Sequence, residues 1–233
     1  MNRFISHVRS YAWFVLGVLT LVACAPAHFT TLTIYETPQS FVQLAVDRTL
    51  EHDAGHTHPS DISPDQMAAV LRGITIVEPL TRLPFYDNVA VPRRHPAFSD
   101  HAIEFWAPLL SLALKKASPQ EVVTFYQSLD ISGTKREVTS GGLYVDGDEL
   151  HLILSNLKSG THYAADIGVA DVADDRLTPM RSLAPQHGKL GFDPESALRE
   201  PDQSFLTQVF HDDRRELVVL YKTLPLKPSK LDD

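Results

Sequence analysis

The residues best equipped for chemistry lie together in Glu51-His52-Asp53-Ala54-Gly55-His56-Thr57-His58-Pro59. Imidazole nitrogens are good ligands for zinc, copper or nickel, and three histidines with two carboxylates could close a site. The reading this supports is a metal-binding protein or a metal-dependent hydrolase that uses His52, His56 and His58 on zinc or copper. The plainer reading is a polar, exposed loop between a strand and a helix, with no cofactor. A second candidate is the stretch from Glu78 to Phe98, which carries Pro79, Pro84, Pro92 and Pro96. Connections of this length are uncommon in compact domains and are often functional. Phe85, Tyr86, Arg93 and Arg94 within it are of the types that dominate interfaces, so they are the expected partner-binding residues.

His52-Asp-Ala-Gly-His56 is similar to the H-E-x-x-H arrangement of zinc proteases, in which the glutamate is the general base. It departs from that pattern at Asp53, one methylene shorter, and at Gly55 and Pro59, which oppose the helix that would align the two histidines. Asp146-Gly-Asp-Glu149 lacks the alternating ligands of a calcium loop and reads as a turn. Ser140-Gly141-Gly142 lacks the flanking glycines of a nucleophile elbow. No phosphate-cradling glycine motif occurs, so nucleotide binding has no support. No complete catalytic constellation emerges, and a non-enzymatic binding or structural role is the leading expectation.

Composition narrows the class further. The 233 residues are 43% hydrophobic and 21% charged, which are globular values. Lysine and arginine total 21 against 29 acids, a net charge of −8, which argues against nucleic acid as a partner. One cysteine precludes an internal disulfide and any multi-cysteine metal site.

That cysteine stands at a telling place. Arg3 and Arg9 precede an apolar run from Ala12 to Val22, which is shorter than the roughly 20 residues a spanning helix needs. Leu21-Val22-Ala23-Cys24 then resembles the lipobox of bacterial lipoprotein precursors. The resemblance implies a cleaved signal helix over residues 1–23, acylation of Cys24, and a membrane attachment through those acyl chains. Ala25 after the cysteine favours the outer membrane, facing the periplasm, over the inner membrane. Cleavage removes two arginines and no acid, taking −8 to −10, so attachment would depend on the acyl chains. Residues 24–28 form a tether of about 15 Å at most, residues 29–223 a single domain, and residues 224–233 a flexible tail.

The elements that must position these groups follow from periodicity. Thr31–Glu36 and Phe41–Asp47 alternate as half-buried strands do, with Thr37–Ser40 as their turn. Ser63-Pro64-Asp65-Gln66 carries a capping box with proline at N1, predicting a helix to Arg72 followed by an extended Ile74–Glu78. Ser99–Lys116 predicts a helix that is apolar round most of its circumference, with a polar stripe of His101, Glu104, Ser111 and Lys115. Ser118-Pro-Gln-Glu121 has the same capping signature and predicts another helix to about Leu129. Glu137–Val145 and Glu149–Leu157 bracket a hairpin turn at Asp146-Gly147-Asp148. Glu216–Lys222 reads as a final strand, and Asp171, Asp174, Asp175, Asp212 and Asp213 as solvated acids. The expected fold is α+β, mainly antiparallel strands around a central buried helix at about 99–116, after the signal helix. A partner protein of the envelope is the expected target.

Overall fold

Two antiparallel sheets and two helices follow one another in the computed structural model, which describes residues 30–51, 54–78, 93–133, 135–162, 175–186, 188–199 and 215–225. The proposed signal helix, Cys24 and the tether through His28 lie outside the described residues, as do His52, Phe85 and Tyr86. The architecture is α+β, as its sequence periodicities predict. Among the described residues, no helix is long and apolar enough to cross a membrane.

Strands β1 (Thr30–Glu36) and β2 (Ser40–Val46) form the expected hairpin, closed where the Ser40 N–H donates to Thr37 Oγ1 at 2.9 Å. The chain then leaves the sheet and returns as β5 (Glu121–Ser132), β6 (Lys135–Asp146) and β7 (Glu149–His162). The larger sheet is completed by β9 (Glu216–Val219), giving the order β1-β2-β5-β6-β7-β9. The excursion from Asp47 to Gln120 leaves and re-enters at one point, because the Asp47 N–H donates to the Gln120 carbonyl at 2.8 Å. It contains α1 (Pro64–Gly73), β3 (Ile74–Val77), β4 (Arg94–Pro96) and α2 (Asp100–Lys116). Strand β8 (Lys189–Phe192) joins the second sheet in the order β4-β3-β8.

Local chemistry fixes α1 as its sequence predicts. The Gln66 N–H donates to Ser63 Oγ, and the Gln66 side chain accepts from the Ser63 N–H, with Pro64 at the first helical position. The same signature at Ser118–Glu121 has a different outcome. The Ser118 N–H donates to Glu121 Oε2 at 2.7 Å and the Glu121 N–H to the Ser118 carbonyl at 3.0 Å, but they close a turn. No helix follows. Val122-Val123-Thr124-Phe125-Tyr126 is a run of β-branched and aromatic residues, and it pairs with β2 on one side and β6 on the other.

Helix α2 buries one face, whereas its sequence predicts a helix apolar round most of its circumference and buried at the centre. Ile103, Trp106, Leu110 and Leu114 are buried, whereas Leu112 is 43% exposed. Ser111, expected on the polar stripe, is also buried and donates to the Ile62 carbonyl at 2.6 Å. Trp106 stands against Phe105 and Phe125 of β5, with ring centroids 4.9 and 5.6 Å away, and Phe105 meets Tyr35 of β1 edge-on at 5.4 Å. Buried residues of both helices and both sheets make one continuous cluster. Leu224, expected to open the flexible tail, belongs to it at 7% exposed.

The opposite face of the larger sheet is covered by Asp175–Gln186, which crosses it as a strap. Ser140 donates to the Pro179 carbonyl, Ser155 to the Met180 carbonyl and Asn156 to the Arg181 carbonyl, at 2.7 to 2.8 Å. Gly142 leaves room for the strap, since a Cβ there would lie 3.0 Å from the Met180 sulfur. Asp175 is 5% exposed and not a solvated acid. It pairs with Arg136 at 3.0 Å and accepts from the Tyr126 hydroxyl at 3.0 Å.

Candidate functional site

Two clusters of ionisable groups hold the described candidate residues, one largely buried and one exposed around a cavity. The first stands where β2 ends and the β6–β7 turn begins. Residues 54–60 are only partly the exposed loop expected, because His56, His58 and Ser60 are buried while Ala54, Gly55, Thr57 and Pro59 are exposed. Their backbone is tied down on three sides: His56 N–H to the Pro119 carbonyl, Thr57 N–H to the Val145 carbonyl, and Ser60 N–H to the Leu114 carbonyl, at 2.7 to 3.0 Å. The Gly147 N–H donates to Thr57 Oγ1 at 2.8 Å, which fixes the hairpin turn to this segment.

Three rings run across the cluster, with a carboxylate at each end. Asp47 Oδ2 lies 2.9 Å from His56 Nε2, and the His56 ring lies on Tyr144 at a centroid distance of 4.2 Å. Tyr144 and His151 are cross-strand partners whose rings stack at 4.5 Å. Glu216 Oε1 then takes both ends of that pair, at 2.8 Å from His151 Nδ1 and 3.3 Å from the Tyr144 hydroxyl. The second ring nitrogen of His151 is 3.8 Å from Glu149 and makes no hydrogen bond.

These contacts set the protonation states. Burial alone would raise the Asp47 carboxyl, but the His56 hydrogen bond and two from Thr49 outweigh it and hold the group at about 2. Burial pushes the His58 imidazole down to about 4, helped by the charge on His56 and opposed by Ser118 and Glu121. Its Nε2 is an acceptor, because the Val145 N–H donates to it at 3.0 Å, and its buried Nδ1 has no hydrogen-bond partner. Burial and then the Glu216 carboxylate push the Tyr144 hydroxyl well above the ordinary phenol range.

His56 and His58 are thus brought together, with centroids 5.5 Å apart, but each already uses its Nε2 on a protein partner. Among the described residues, no group of three His, Cys, Asp or Glu side chains is placed to hold a metal ion. As folded, both imidazoles are structural partners of the sheet.

The second cluster surrounds a cavity of about 670 Å³ between the end of α1, the small sheet and the segment after β8. Its lining includes Ala69, Arg72, Thr75, Arg94, His95, Pro96, Asp193 and Leu224. Arg94, expected from its sequence context to bind a partner, crosses the small sheet here. Its Nε donates to Thr75 Oγ1 at 3.2 Å, Nη1 to Glu195 at 3.2 Å and Nη2 to the Phe192 carbonyl at 2.7 Å. Gly191 permits this, since a Cβ there would stand 3.0 Å from Thr75 Oγ1. His95 lies 3.5 Å from Glu78. Arg93, next in the chain, holds the β3–β4 ladder through its carbonyl, which accepts from the Glu78 N–H at 2.9 Å.

No protein-family model, curated protein or solved structure matches the chain. Its chemistry therefore rests on its own atoms. Two parts of the site were missed in the sequence. Arg72 and Asp193 carried no local signal beyond their charge, and Tyr144, His151 and Glu216 meet only because β6, β7 and β9 are neighbours. The local signal that could find His151 is the alternation Leu150, Leu152, Leu154, which puts it on the opposite face of its strand.

Proposed function

We propose that this chain is a lipid-anchored protein of the bacterial envelope that acts by binding, with the cavity beside Arg94 as its binding face. The observation that carries the anchor is the position of the only cysteine, at the end of Leu21-Val22-Ala23-Cys24 and behind a cationic, short apolar leader. The binding half is supported by Arg94, whose side chain is fixed by three hydrogen bonds at the edge of a ligand-sized cavity. Catalysis has less support, because the described histidines are tied to Asp47, Val145 and Glu216 as structural partners. The outer membrane, periplasmic side, is the favoured address, on the strength of Ala25.

Replacing the thiol tests the anchor directly. Cys24→Ser should leave the precursor uncut and abolish partitioning into a detergent phase. Unchanged processing together with unchanged partitioning overturns the lipoprotein reading.

A further inference from the structure

We infer that the cavity beside Arg94 binds a small molecule bearing a single carboxylate on a short apolar body, an assignment that rests on the binding reading above. The cavity is open to solvent, and its volume of about 670 Å³ is within the range of small-molecule sites. The charged groups on its wall decide what kind.

A guanidinium has five N–H donors. Arg94 uses three of them, on Thr75, Glu195 and Phe192, and these hold the side chain across the small sheet. Two donors remain on a lining side chain that these bonds hold in place, so a ligand oxygen reaching them would meet a partly ordered group. Arg72, in the last turn of α1, lines the same cavity and has no ion-pair partner among the described residues. Both guanidinium groups line the cavity, and because Arg94 is already paired with Glu195, Arg72 is the cation left to meet an oxyanion.

Asp193 restricts the choice. Its side chain is exposed on the same lining and has no partner among the described residues, so a second negative charge on the ligand would meet it. A carboxylate monoanion is favoured over a phosphate dianion on that ground. Ala69, Pro96, Pro194 and Leu224 offer the remaining wall, which suits an apolar body and gives a bare inorganic anion nothing to hold.

Calorimetric titration of the full chain in a nonionic detergent tests this, with phenylacetate as the probe. Its neutral isostere phenylacetamide and the dianion phenyl phosphate serve as comparisons. Phenylacetate should bind with a dissociation constant below about 1 mM, with both comparison compounds at least tenfold weaker. Arg72→Gln, at an exposed position, should weaken phenylacetate about tenfold with an unchanged melting temperature. Ala69→Phe, which fills the cavity from the helix side, should remove binding. No heat up to 10 mM, equal binding of the amide, or indifference to Arg72→Gln overturns the assignment. Failure of the anchor is separate, because Cys24→Ser is read by membrane partitioning and this titration needs no lipid.

Discussion

The backbone N–H of Val145 donates to Nε2 of His58 across 3.0 Å, joining the segment before α1 to the end of β6. That bond requires a neutral imidazole. His58 titrates near 6.5 when unfolded and near 4 in the fold, so between those values the unfolded chain binds more protons. The stabilisation is complete above pH about 6.5 and is lost as pH falls through the window to about 4, amounting to roughly 3 kcal/mol at most. Urea midpoints at pH 7.5, 6 and 5 should fall accordingly. In His58→Gln, whose amide oxygen can still accept from Val145, most of that slope should vanish. Parallel pH curves for the two chains refute the account.

Asp47 follows the same linkage at lower pH, because its folded value is again the lower one. Its folded carboxyl lies at about 2, against a reference value of 3.8, so its contribution is present above about pH 4 and disappears towards pH 2. Asp47→Asn should destabilise the fold at pH 7, with solvent screening keeping the cost below about 2 kcal/mol. The gap between mutant and native unfolding curves should close near pH 2.

The strap depends on a buried ion pair. Asp175 and Arg136 meet at 3.0 Å with side chains 5% and 20% exposed, and Tyr126 completes the group. Removing Asp175 takes away the buried carboxylate that Arg136 and Tyr126 hold, and breaking a pair of this kind costs up to about 3–5 kcal/mol. Asp175→Asn should therefore speed hydrogen exchange at the Leu183 amide, which donates to Asn156 Oδ1 at 2.9 Å. Equal exchange rates in the two chains would show that the serine and asparagine bonds hold the strap alone.

Trp106 is 1% exposed between α2 and the sheet. Trp106→Ala should cost about 3–5 kcal/mol through lost burial and a residual cavity. Thermal unfolding reads this directly, and an unchanged melting temperature would contradict the packing described for α2.

Legibility in the sequence tracked how local each determinant is. The α1 cap, the β1–β2 turn and the Asp146-Gly147-Asp148 hairpin are encoded within a few residues and formed as expected. Ser118–Glu121 carries half of a helix cap, but the β-branched run after it needed the partners β2 and β6 to decide the outcome. Ser111 resembled a surface residue until Ile62 supplied an acceptor. His56 and His58 were visible as a cluster, yet their burial depends on Pro119, Leu114 and Val145, all remote in the chain. The strap was illegible for the same reason, since its bonds run from its own backbone to β6 and β7.

The closure at Asp47 and Gln120 has a kinetic consequence. Strands β5, β6 and β7 pair with chain neighbours and can zip as a meander, and β1 and β2 can do likewise. The seam between β2 and β5 is different, because it joins strands that the whole helical excursion separates. Loop-closure entropy must be met before that seam yields any contact, and pairings of this kind set the pace of folding. The meander is thus the natural nucleus, and the seam closes late. Amides on β2 that point towards β5 should be the last to gain protection during refolding, after the two halves of the sheet already exist apart.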